Sequence, residues 1–278
     1  MKTQIRRILV PLDSSEYTDA ATIRACEIAK AHDADLTGLS VLDSPQIRSS
    51  VAPADTFHWP VVQDTIHEAM ENARQDIQAN RDKFDNVCVA KGVRHSTPKL
   101  EGAPAQVIYD VSALYDLVVM GLRTFFHFDL HTDEGESLSR LLDQTVTPVL
   151  AVPKGEPTAS FNEVLVLYDG SKAAAKTLRD FAAFAAPSDF QVTVLTATED
   201  DRQAEMLLHE ACACLTSHGI ENVHTKRSNQ KEVTSDTLSD FDLVVLGIHS
   251  KRLLRDRFVG SLAKRLIDDN DRALFLSH

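Results

Sequence analysis

Short, continuously apolar runs alternate with longer stretches whose apolar residues recur at helical spacing, and this alternation fills the chain. RILVPLD (7–13) reads as a strand, and YTDAATIRACEIAKAHD (17–33) carries a helical period. ADLTGLSVL (34–42) is a second strand. A loop with three prolines spans 44–60 and leads into the helix VVQDTIHEAMENARQDIQANRDKF (61–84). NVCVAKGV (86–93) reads as a third strand, APAQVIYDVSALY (103–115) as a helix and DLVVMG (116–121) as a fourth strand. GESLSRLLDQT (135–145) is a further helix and TPVLAVP (147–153) a fifth strand. Strands that are apolar throughout, separated by helices, predict a parallel sheet covered on both faces.

The pattern then starts over. EVLVLYDGSKAAAKTLRDFAAFAA (163–186) repeats the first strand and helix, FQVTVLTAT (190–198) answers the second strand, and DFDLVVLG (240–247) answers the fourth. Asp13 falls on Asp169 and Asp116 on Asp242, but at different offsets, so the second copy lacks a segment that corresponds to the 44–60 region. PKGEPTAS (153–160) has the Pro, Gly and Ser content of a linker and divides the chain into domains over 1–154 and 161–278. The linker is short, so the two should pack together.

Composition narrows the function. The formal net charge of −12 disfavours nucleic acid and anionic membrane as partners, so any anion site must be local. The N-terminus has no long apolar segment with a cleavage site, and no stretch approaches the ~20 apolar residues of a membrane span. A cytoplasmic location with reduced thiols is expected for the four cysteines, Cys26, Cys88, Cys212 and Cys214. Cys212 and Cys214 stand on different sides of a predicted helix and do not form one metal site. His127 and His131, four apart and beside Asp129, Asp133 and Glu134, read as part of a solvated loop rather than a zinc site. No Ser-His-Asp order, HExxH or Walker lysine occurs, so an enzyme is not indicated.

ILVPLD, GAPAQVI, DLVVMG and RLLDQTVTPVLAVP resemble the universal stress protein family, and the second half repeats the likeness. The resemblance implies two tandem α/β sandwich domains with five-stranded parallel sheets, of the adenine nucleotide alpha hydrolase-like type. It also implies edge pairing between the last strands, here PVLAVP and ALFLSH, a homodimer, and ATP or a related adenine nucleotide as ligand. Nucleotide-binding members place Gly, two residues, Gly, nine residues, then Gly-Ser or Gly-Thr after the fourth strand. Glycines let the backbone approach phosphate, and the last pair opens a helix whose N-terminus favours anions.

In the first copy Asp13, Val41 and Gly121 fit, but Thr124 replaces the second glycine, Gly135 comes one residue late and Glu136 replaces the hydroxyl residue. A carboxylate there repels phosphate. In the second copy Asp169, Gly247, Gly260 and Ser261 keep the spacing, Ser250 replaces the second glycine, and Lys251, Arg252, Arg255 and Arg257 add positive charge. The resemblance therefore implies a regulatory, stress-response protein binding nucleotide mainly in its second domain. The alternatives are an interaction scaffold without nucleotide, docking an unknown protein partner, and a binder of an apolar ligand between the domains near Trp59.

Overall fold

The computed structural model describes residues 5–50, 59–123, 138, 141–142, 145–155, 161–228, 235–248, 257–269 and 271–278. The first half runs β1 (Arg7–Pro11), α1 (Glu16–His32), β2 (Asp35–Leu42), α2 (Ser44–Ser50), α3 (Trp59–Lys91), β3 (His95–Ser96), β4 (Lys99–Glu101), α4 (Pro104–Ser112), β5 (Leu117–Gly121) and β6 (Val149–Val152). Residues 138, 141 and 142 are also helical. The second half runs β7 (Glu163–Leu167), α5 (Lys172–Ala185), β8 (Gln191–Ala197), α6 (Asp201–Ser217), β9 (Val223–Ser228), α7 (Ser235–Leu238), β10 (Leu243–Gly247), α8 (Arg257–Asp269) and β11 (Ala273–Ser277).

Among the described residues eleven strands join one sheet, ordered β3-β2-β1-β5-β6-β11-β10-β7-β8-β9, with β4 also on β2. β3 and β4 occupy successive stretches of the same β2 edge, interrupted around Pro98, so each half contributes five strand positions in mirrored order. Among the described residues, pairing is parallel within each half and antiparallel where β6 meets β11, with Phe275 opposite Leu150. This is the edge pairing that the resemblance implies, made within one chain. It removes two apolar edges that would otherwise invite association.

The repeat extends to single hydrogen bonds. Asp116 accepts from the backbone N–H groups of Arg6 and Arg7 at 2.8 and 3.0 Å. Asp242 accepts equivalently from Asn162 and Glu163, both at 3.0 Å. α1, α3, α5 and α6 cover one face of the sheet in a core that runs through both halves, and α4, α7, α8 and Leu138, Leu141 and Leu142 cover the other. β5 and β10 are buried along their whole length, as unbroken apolar runs require.

Two sequence expectations need correction. NVCVAKGV is not a strand: α3 continues to Lys91, because Phe84 and Cys88, one helical turn apart, both enter the core. Gly92 ends it at φ 66°, a left-handed conformation that glycine adopts without strain. The third strand position is filled by the polar edge segments after it. The 44–60 region also begins as helix α2, while its residues 51–58 lie outside the described residues.

Candidate functional site

A cavity of about 1100 Å³ opens at the carboxyl ends of β1 and β2 in the first half. Its floor is Leu12 and Asp13 after β1, with Val41 and Leu42 on β2. Ala69, Asn72, Ala73, Asp76, Ile77 and Asn80 form one wall, their spacing that of a single face of α3. Gln46, Ile47 and Ser50 of α2 close a second side. The insertion that the second half lacks is therefore the roof of this cavity, and it includes the N-terminal half of α3 as well as α2.

Asp13 is only 8 % exposed. Its Oδ1 accepts from the Ser15 backbone at 3.1 Å and the Ser15 hydroxyl at 2.6 Å, and Thr18 donates to it in a short contact. These bonds fix the turn into α1 and set the start of that helix against the cavity. Asn80 Nδ2 donates to Ser14 Oγ at 3.0 Å, tying α3 to the same turn. Asp43 Oδ1 accepts from the Gln46 N–H at 2.9 Å, capping α2. On the far side, Arg123 and Lys154 line the cavity. The Arg123 guanidinium donates to the Asp268 carbonyl at 2.9 Å, and neighbouring Asp269 also lines the cavity, so the end of α8 borders the first-half site.

Among the described residues, the equivalent place in the second half holds a much smaller cavity. The cavity beside Asp169 measures about 70 Å³ and is bounded by Tyr168, Leu195, Leu246 and Leu262 among others. Asp169 is exposed and its Oδ1 accepts from the Ser171 N–H at 2.9 Å, while Ser171 caps α5. Gly247 ends β10 under the start of α5: a Cβ there would lie 2.7 Å from the Ala174 nitrogen and 2.8 Å from the Ala173 carbonyl carbon. Its glycine is thus required by close helix packing.

Among the residues singled out from sequence, Asp13 and Val41 come together in the large cavity, and Gly121 ends β5 two residues before Arg123. Asp169 and Gly247 come together around the small one. Gly260 and Ser261 lie inside α8 rather than before it, because Arg257 to Val259 contain no helix breaker and one internal glycine costs only about 1 kcal/mol. Ser250, Lys251, Arg252, Arg255, Thr124, Gly135 and Glu136, and the His127–His131 pair, lie outside the described residues. Among the described residues no group of three or more His, Cys, Asp or Glu side chains is placed to hold a metal ion, and no helix is long and apolar enough to cross a membrane.

The sequence reading missed Asn72, Asp76 and Asn80, whose signal was polar residues on the inward side of a helical period. It also missed that Cys26 and Cys88, both fully buried, place their Sγ atoms 3.7 Å apart.

An open, mostly parallel sheet with helices on both faces and a cavity at its strand ends defines the α/β class of fold. The family model of the universal stress protein family matches residues 4–153, and the chain belongs to that family. A universal stress protein from Archaeoglobus fulgidus DSM 4304 is similar over 99% of this chain and 97% of its own, at 20% identity and TM-score 0.70. A protein from Pseudomonas aeruginosa UCBPP-PA14 described as a universal stress protein covers 99% and 94%, at 17% identity and TM-score 0.59. A functionally unknown protein from Pseudomonas aeruginosa PAO1 covers 99% and 93%, at 16% identity and TM-score 0.58. These likenesses establish the fold across both halves. No curated protein matches the sequence.

Proposed function

We propose that the chain is a tandem universal stress protein, with domains over 1–154 and 161–278, that binds an adenine nucleotide in its first-half cavity and acts by binding rather than by turnover. The observation that carries this reading is the difference in volume: about 1100 Å³ beside Asp13 against about 70 Å³ beside Asp169. Small-ligand sites commonly enclose about 300–1,000 Å³, and in open α/β sheets they lie outside the carboxyl ends of the strands. Asp13 and Val41, two of the first-copy candidates that the family resemblance singles out, both line the larger cavity. Acid precipitation of the purified protein and mass spectrometry of the supernatant tests the reading. Stoichiometric adenine nucleotide, lost in Ala73→Trp, supports it. Retention in Ala73→Trp with loss in Gly260→Glu moves the site to the second half.

That second placement is the one favoured by spacing, since Gly247, Gly260 and Ser261 keep the signature distances and four basic residues lie between them. The departures at Thr124, Gly135, Glu136 and Ser250 favour a scaffold without nucleotide, for which the precipitation experiment returns no ligand from either variant or the parent. A dimer of two chains, expected from the resemblance, has to use a surface other than the β6 and β11 edges, because each is paired to the other.

A further inference from the structure

The cavity is polarised along the sheet. In the order β2-β1-β5-β6, Asp43 follows β2, Asp13 follows β1, Arg123 follows β5 and Lys154 follows β6. Three strand spacings of about 4.8 Å place the two ends roughly 14 Å apart. Glu16 and Asp76 add carboxyl groups at the β1–β2 side, from the start of α1 and from α3. At the β5–β6 side the two cations face one carboxylate, Asp269. The whole lining carries five carboxyl groups against two cationic side chains.

We propose that this cavity selects an adenine nucleoside carrying a single phosphate over the triphosphate. The inference rests on the adenine-nucleotide reading of the site and names its ligand class. The acid-rich side, with the amides of Asn72 and Asn80, presents acceptors to the hydroxyl and amino donors of a nucleoside. The opposite side offers a net of one positive charge, enough to offset much of one phosphate, which brings about two negative charges at neutral pH. A triphosphate roughly doubles that charge, and the further phosphates meet Asp269 and the rest of an acidic lining. Like charges confined in a partly desolvated cleft repel more strongly than in bulk water.

The test is calorimetric titration of the full chain, magnesium-free, with adenosine, AMP and ATP. AMP is expected to bind tighter than adenosine, and ATP at least tenfold weaker than AMP. Lys154, an exposed residue whose loss spares the core, is the informative position. Lys154→Met is expected to weaken AMP at least fivefold and leave adenosine unchanged, and Asp269→Asn to narrow the gap between AMP and ATP. ATP binding as tightly as AMP, or Lys154→Met weakening adenosine and AMP alike, overturns the selectivity while leaving the site an adenine site. Absence of heat with all three overturns the adenine-nucleotide reading itself.

Discussion

Asp13 and Asp169 occupy equivalent turns, yet one is buried under two added helices and the other faces solvent. The same residue type thus lines a large cavity in one half and the rim of a small one in the other. Gly247 teaches the complementary lesson. It fits a phosphate-loop signature, and its geometry answers to helix packing. Gly247→Ala should cost about 1–3 kcal/mol in denaturant unfolding whether or not nucleotide is added, because α5 has to move outward; an unchanged midpoint contradicts the packing role. The thiols divide in the same way. Contact with Cys26 and burial push Cys88 up, whereas Cys212 and Cys214 are partly exposed and raised mainly by burial. Native protein should therefore release two equivalents of thionitrobenzoate, faster as the pH rises, and the other two only in denaturant. Four prompt equivalents contradict that division.

At the scale of elements, α3 decides where the large cavity lies. It is 33 residues long against 17 for its counterpart α6, and the extra turns bring Ala69, Asn72, Ala73, Asp76, Ile77 and Asn80 over the strand ends. Ala73→Trp should fill that space and abolish ligand binding, with little change in unfolding midpoint because the residue borders a cavity. Binding that survives the substitution locates the ligand elsewhere. The strands buried on both sides were legible as unbroken apolar runs, and so was the repeat, because LVVMG and LVVLG must fill equivalent core positions. The edge strands were not. HS, KLE and VHTKRS are largely solvent-facing and carry no apolar signature, so β-branched NVCVAKGV drew the assignment that belonged to its polar successor. Asp13 and Val41 were legible through family likeness. The α3 wall was not, because a long polar helix face reads as solvated until another element is seen opposite it.

Across the whole molecule, the two halves share one sheet and are stitched together on its face. His32 Nε2 meets the Phe184 carbonyl at 2.9 Å, and the Arg24 guanidinium lies 4.2 Å from the centre of the Phe161 ring. Burial holds the His32 pKa below its ordinary 6.5, partly countered by the Phe184 carbonyl. The unfolded chain then binds a proton that the folded chain refuses, so this contribution is complete above pH 6.5 and is lost as the pH falls below it. Urea midpoints should drop between pH 7 and pH 5, with a slope from His32 of at most about 1.4 kcal/mol per pH unit. The drop should be smaller in His32→Gln; an equal drop assigns the pH dependence to other groups.

The central claim is that the first half, through its added helices, holds the ligand. Photolabelling with 2-azido-AMP followed by peptide mapping tests it most directly. The account predicts label on peptides covering β2 to α2 and the N-terminal half of α3, competed away by AMP. Label confined to peptides of β7, β10 and α8 would contradict it and return the site to the second half.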